Sequence, residues 1–177
     1  MRTRYKTVES GAVYFMTSTI VEWIPIFTSS LYCDVIIDSL KYCMGNKGLK
    51  ICAYAIMDNH IHLVASGEKF PLVMKDFKSY TARGIIQAAQ IGRKDWLLNQ
   101  LKFYKRFHKT GSEHQVWQEG FHSQEITTEE MLRQKIEYIH NNPLRRGLVE
   151  RPEHWSYSSA SNYISGAGRL DVDLIGV

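Results

Sequence analysis

Two histidines separated by a single residue are the part of this sequence best suited to chemistry. His60 and His62 lie in an apolar run, from Ala53 to Ala65, that is typical of a buried strand. Successive side chains of a strand point to opposite faces, so the two imidazoles should project to the same side. A pair of neutral imidazoles is half of a divalent-metal site, with further positions open to substrate oxygens. The alternative is two polar residues at a strand end, each hydrogen-bonded to a neighbour.

A tyrosine and an asparagine further along the chain form a second candidate group. Tyr138 and Asn142 are four residues apart and would share one face of a helix. Thr127 followed by Glu130 fits a capping box, which predicts that this helix begins there. Pro143 disfavours helical geometry in the preceding residue, so we expect the helix to end within a residue or two of it. The alternative is a helix that packs the tyrosine into the core and caps itself with the asparagine.

Length and composition limit the class of protein. The chain has 177 residues, 12% of them aromatic, which suits one folded domain rather than a disordered segment. No apolar run approaches the roughly 20 residues of a membrane span, and the first residues lack a secretory pattern. The cysteines Cys33, Cys43 and Cys52 have neither the spacing of a disulfide framework nor that of a zinc knuckle. These observations predict a cytoplasmic protein that does not contact membranes.

Positive charge is concentrated in one segment. The net charge is +4, but residues 75–109 contain nine basic residues against two acidic ones. Aromatic residues alternate with these cations, a pattern suited to single-stranded nucleic acid because cations follow phosphates and rings stack on bases. The candidate contacts are Lys75, Lys78, Arg83, Lys102, Lys105 and Arg106, with Arg2 and Arg4 as a second basic group. The alternative is a pair of amphipathic helices whose aromatic side chains face the core and whose lysines are only solvated.

The elements that must position these groups follow from the apolar periodicity. Strand patterns occur at 12–20, 49–56, 60–65 and either 116–121 or 125–126, with a tight turn at 57–59. Helical patterns occur at 29–44, at 70–89 and around Tyr138, and 92–115 is a polar helix or excursion. This order predicts an α+β fold: a split βαβ antiparallel sheet with helices on one face. Such a sheet could bring a central strand with the histidines against the helix with Tyr138.

Five motifs in order along the chain make the pattern more specific. They are Met57–Leu63 with its His-Ile-His, Phe77–Arg83, Val116–Gln118, Tyr138–Val149 with its Tyr-Ile-His-Asn-Asn-Pro, and Pro152–Ser159. Together they resemble the single-tyrosine HUH transposases, in particular the branch associated with repetitive extragenic palindromes (REPs). The resemblance covers nearly the whole chain, from about Tyr14 to Ser159, and its specificity comes from the histidine and tyrosine motifs in combination.

The resemblance implies a ferredoxin-like sheet and metal-dependent cleavage and rejoining of single-stranded DNA near hairpins. Tyr138 matches the nucleophile, which would form a 5′-phosphotyrosine, and His60 and His62 match the metal ligands. Asn142 stands where relatives place a polar residue, often glutamine, that completes the metal site. The ion expected is Mg²⁺ or Mn²⁺, because a mixed nitrogen and oxygen site suits either. Asp58 stands where relatives commonly have proline, and could place a carboxylate near the metal.

The same resemblance sets the expected organisation and partners. It implies a domain over 1–160, with a family-variable excursion at 92–115, and a C-terminal tail at 161–177. The partner would be single-stranded DNA, hairpin or palindromic, in a prokaryotic cytoplasm, with the protein at the nucleoid when bound; the protein could form a homodimer. Two other functions stay open: a DNA-hairpin-binding protein that keeps the fold without activity, and a structural zinc protein using His60, His62 and a cysteine.

Overall fold

An antiparallel sheet of four strands organises the residues that the computed structural model describes, which are 11–120 and 122–176. The strands are β1 Val13–Thr19, β2 Lys50–Ile56, β3 His60–Ser66 and β4 Ser123–Ile126, in the spatial order β2-β3-β1-β4. The helices are α1 Ser30–Asn46, α2 Phe70–Ile91, α3 Asp95–Phe103, α4 Glu129–Arg145 and α5 Ala160–Ser165. Because β3 lies between β1 and β2, the predicted α+β fold with split βαβ order is confirmed.

Helices cover both faces of this sheet. α1, α2 and α3 pack on the face that carries Met16 and Leu63, whereas α4 packs on the other through Ile136 and Ile139. The prediction that all the helices pack on one face is therefore wrong for α4, which covers the opposite face. β2 and β3 are buried along almost their whole length, and strands that are apolar on both sides need cover on both sides.

The pairing of β1 with β3 places the histidines on the face that α4 covers. Thr17 lies opposite His62 and Thr19 lies opposite His60 in this antiparallel ladder. The N–H of Met57 donates to the carbonyl oxygen of His60 at 2.8 Å and closes the tight turn predicted at 57–59. His60 is therefore half-buried at the start of β3, while His62 is buried one step further along the strand.

α4 begins one residue later than predicted. The hydroxyl of Thr128, rather than that of Thr127, accepts the N–H of Met131 at 3.1 Å and caps the helix. The helix continues through Pro143 and ends at Arg145, two residues beyond the proline, within the predicted range. Asn142 is consequently helical, so the alternative in which it caps the helix is wrong.

The excursion at 92–115 contains α3, which packs on the core through Leu97 and Leu101. Of the two positions predicted for the last strand, 125–126 belongs to β4, whereas Trp117 forms an isolated bridge with Ile20. Within the described part of the chain, no helix is long and apolar enough to cross a lipid bilayer.

Residues 157–173 line the outer edge of β2. Backbone N–H groups of Ile56, Ser159 and Asp173 donate across this edge at 2.9, 3.0 and 2.8 Å. The edge strand thereby has partners for backbone groups that would otherwise be open to another chain. Leu170 and Val172 are buried in the core. The segment from 161, which the sequence analysis assigned to a C-terminal tail, is thus packed on the domain as far as Asp173.

Candidate active site

The structure brings the histidine and tyrosine motifs together on one face of the sheet. The Nε2 atoms of His60 and His62 lie 3.1 Å apart. Asn142 approaches from α4, with its Nδ2 3.2 Å from the Nε2 of His62. The ring centroids of Tyr138 and His62 are 5.3 Å apart. All four side chains belong to one chain, so the arrangement forms without a second copy.

Hydrogen bonds to the other ring nitrogens orient both imidazoles. Asn59 Oδ1 lies 2.6 Å from His60 Nδ1, and a carbonyl oxygen only accepts, so His60 donates from Nδ1 and turns its Nε2 lone pair toward His62. Thr17 Oγ1 lies 2.8 Å from His62 Nδ1, and a hydroxyl can accept the same kind of bond. With protons on both Nδ1 atoms, two Nε2 lone pairs converge on one point. A cation at that point could be coordinated by both nitrogen lone pairs.

Burial favours the neutral form of both histidines. Burial, together with the neighbouring His60 and Lys135, lowers the pKa of His62 to about 3. Burial also lowers the pKa of His60, against the opposing effect of the Asp58 carboxylate. Neutral imidazole is the form that ligates metal, so both rings can act as ligands at neutral pH.

The residues present fit a divalent ion. Two nitrogen ligands about 2.1 Å from one ion, at a right angle, are about 3 Å apart, close to the observed 3.1 Å. A half-turn of the Asn142 amide would present its oxygen to the same point. Among residues 11–120 and 122–176, no three His, Cys, Asp or Glu side chains cluster as a metal site. The structural zinc site of His60, His62 and a cysteine is therefore wrong, since all three cysteines are described and lie buried elsewhere.

Tyr138 lies at the border between core and solvent. Its side chain is 38% exposed, so the alternative of a tyrosine packed into the core is wrong. Its ring meets His62 edge-on and stands nearly perpendicular to Phe15, with ring centroids 5.9 Å apart. These two contacts hold the ring against the sheet while leaving it accessible to a substrate.

Two cationic side chains near Tyr138 were not among the residues predicted from the sequence. Lys135 places its Nζ 4.4 Å from the ring centroid of Phe15, and the guanidinium carbon of Arg145 lies 5.9 Å from that of Tyr138. Neither cation forms an ion pair with another described residue. Their spacing from Tyr138, three residues before and seven after, places them on the same helix face and could have identified them.

Asp58 and His140 lie near the site, but their contacts do not fit a metal ligand or a proton acceptor for Tyr138. Asp58 pairs with Arg146 at 3.0 Å, which ties the turn before His60 to the end of α4. His140 is directed toward α5, with its Nε2 2.8 Å from Ser159 Oγ and its ring 5.0 Å from that of Tyr163. It is therefore not placed to receive a proton from Tyr138.

The predicted DNA-binding cations are not part of this cluster. α2 and α3, which carry most of them, lie across the sheet from α4. Lys102 pairs with Glu113 at 2.6 Å, while Lys78 and Lys105 donate to backbone carbonyl oxygens. Among the described residues, Lys102 is the one predicted cation with an ion pair; Lys75, Lys78, Arg83, Lys105 and Arg106 form none. Arg2 and Arg4 lie outside the described residues.

No protein-family model matches the chain. The chain is 23% identical over 149 residues to a Haemophilus influenzae protein named "Putative REP-associated tyrosine transposase", covering 84% of this chain and 80% of that protein. It also matches a solved structure of a REP-associated tyrosine transposase bound to a REP hairpin, with a TM-score of 0.60 and 17% identity. That match covers 95% of this chain and 87% of the other.

The structural likeness shows a shared fold, and the sequence likeness points in the same direction as the motifs. The histidine pair, the tyrosine motif, the related sequence and the common fold thus support one family, the REP-associated tyrosine transposases.

Proposed function

We propose that this protein is a metal-dependent single-stranded DNA nickase and strand transferase that acts near hairpins. The observation that supports the proposal is the edge-on packing of Tyr138 against His62, with ring centroids 5.3 Å apart, beside His60 and Asn142. The hairpin in the related structure supports hairpin-forming DNA as the substrate class. Because the four side chains come from one chain, the reaction does not need a tyrosine from a second copy.

Tyr138 is the proposed nucleophile of a transesterification. Its phenolic oxygen forms a bond to phosphorus as the bond between phosphorus and the 3′-oxygen breaks. The phenol loses its proton and the leaving 3′-oxygen gains one, which yields a 5′-phosphotyrosine and a free 3′-hydroxyl. One phosphate ester replaces another, so a returning 3′-hydroxyl can reverse the step and join strands without an external energy source.

The surrounding side chains each contribute to holding the phosphate. Mg²⁺ or Mn²⁺ held by His60, His62 and Asn142 would supply positive charge to the non-bridging oxygens. Lys135 and Arg145 add fixed positive charge at the two ends of the Tyr138 helix face.

The basic residues across the sheet would bind DNA away from the reacting phosphate. These are Lys75, Lys78, Arg83, Lys102, Lys105 and Arg106. Arg2 and Arg4, which lie outside the described residues, are proposed as a further basic group. Their contribution would be electrostatic and would weaken with rising salt concentration.

A cleavage assay on end-labelled DNA hairpins with Mn²⁺ or Mg²⁺ tests the proposal. Wild-type protein should become covalently attached to a 5′ end, Tyr138→Phe should not, and chelator should abolish the product. Tyr80→Phe is the matched control, because Tyr80 is exposed and lies on α2 across the sheet. Covalent product with Tyr138→Phe would contradict the nucleophile. Hairpin binding without any cleavage would favour the inactive hairpin-binding protein.

A further inference from the structure

A group of aromatic rings is left in solvent on the side of the sheet opposite Tyr138. Trp96 and Phe103 on α3 are 65% and 77% exposed and are called the α3 surface; Phe107, four residues after the helix ends, is 94% exposed. The sequence alternative that places the aromatic side chains of this region in the core holds for Phe77 and fails for these three. Large apolar side chains grouped at a surface commonly mark a binding site.

The helix holds two of these rings on one face. Trp96 and Phe103 are seven residues apart, which is two helical turns and about 10 Å along the axis. Leu97 and Leu101 bury the other side of α3 in the core, so the helix cannot turn its rings inward. Tyr104 meets Phe103 edge-on, with ring centroids 5.0 Å apart, and supports it from the following turn.

The charge around these rings indicates the kind of partner. Residues 93–109 contain six basic residues and one acidic residue. Arg93, Lys94 and Arg106 form no ion pair with any other residue that the structure describes. Two copies of such a surface would repel each other, which argues against self-association through it. The cations would attract phosphates, and a flat apolar group such as a base could cover the exposed rings by stacking on them.

We propose that the α3 surface binds an unpaired segment of the DNA strand by stacking bases on Trp96 and Phe103. Unpaired bases expose the faces that a ring can stack on, whereas the bases of a duplex are already stacked on each other. This inference rests on the proposed function, because it takes a DNA strand as the substrate. It adds a second contact to that strand, separated from Tyr138 by the sheet.

Binding of fluorescently labelled (dT)20, which forms no hairpin, tests this surface by anisotropy. The full chain carrying Tyr138→Phe is the parent, so that cleavage does not interfere. Trp96→Ala and Phe103→Ala should each weaken binding at least about fivefold, the lower range for losing one stacked base. Trp96→Phe should retain binding because it keeps a ring. Ile164→Ala, at an exposed apolar position on α5, should also leave binding unchanged.

The outcomes separate this inference from the proposed function. A parent that binds neither a DNA hairpin nor (dT)20 would overturn both. A parent that binds (dT)20 with unchanged affinity after Trp96→Ala and Phe103→Ala would overturn the stacking surface alone. A parent that is dimeric by sedimentation, and becomes monomeric with both substitutions, would assign the surface to self-association instead.

Discussion

Mild acid should destabilise this protein through His140, and one substitution isolates that effect. His140 lies between α4 and the edge of β2, where its Nε2 is 2.8 Å from the hydroxyl of Ser159. The same hydroxyl accepts the N–H of Tyr54 at 2.9 Å. Burial lowers the pKa of His140 to about 4, from a value near 6.5 in the unfolded chain.

The direction of the effect follows from the two pKa values. As the pH falls from 6.5 toward 4, the unfolded chain takes up a proton at His140 and the folded protein does not. Stability that is fully present above pH 6.5 is therefore lost progressively across this range. Between pH 7 and pH 5 the loss from His140 alone is about 2 kcal/mol, or roughly 5 °C in Tm for a chain of this size.

Urea unfolding of wild type and His140→Gln at pH 7 and pH 5 measures the loss. Glutamine keeps a polar group near Ser159 but does not titrate, so the variant should lose about 2 kcal/mol less than wild type. Comparing the two proteins removes the contribution of His62, whose lowered pKa acts in the same direction. His154→Gln, at an exposed position, is the control and should follow wild type. Equal losses in wild type and His140→Gln would refute a buried, neutral His140.

Two further outcomes concern the site itself. Thr17→Val should weaken Mn²⁺ binding about 10- to 100-fold in a calorimetric titration, because His62 loses the hydroxyl that orients it, whereas Thr17→Ser should bind like wild type. Unchanged affinity in Thr17→Val would show that the hydroxyl does not support a metal ligand. In a Tyr138→Phe background, Lys135→Gln should make the dependence of log affinity for single-stranded DNA on log salt less steep by about 0.7, the effect of losing one phosphate contact. Lys41→Gln, on α1 across the sheet, is the control and should leave the salt dependence unchanged. A salt dependence in Lys135→Gln equal to that of the Tyr138→Phe parent would exclude the phosphate contact.

Local patterns in the sequence were sufficient to predict the two halves of the site. Strand alternation placed His60 and His62 on one side of β3, and a spacing of four placed Tyr138 and Asn142 on one face of α4. Backbone geometry alone sets these periods, so they hold wherever the segment packs. The start of α4 shows the limit of such patterns, because Thr127 and Thr128 are both suitable caps. The cap is Thr128 in the structure, two residues after β4 ends at Ile126.

Only the tertiary structure decided how the two halves meet and what surrounds them. Thr17 reaches His62 across 45 positions of the chain, through the pairing of β1 with β3. The contact of Lys135 with Phe15 exists because α4 covers the second face of the sheet, which the predicted arrangement left open. A sequence period shows which residues share a face, but not which distant segment covers that face. That choice depends on burying all the apolar surfaces of the chain at once, and only the complete fold decides it.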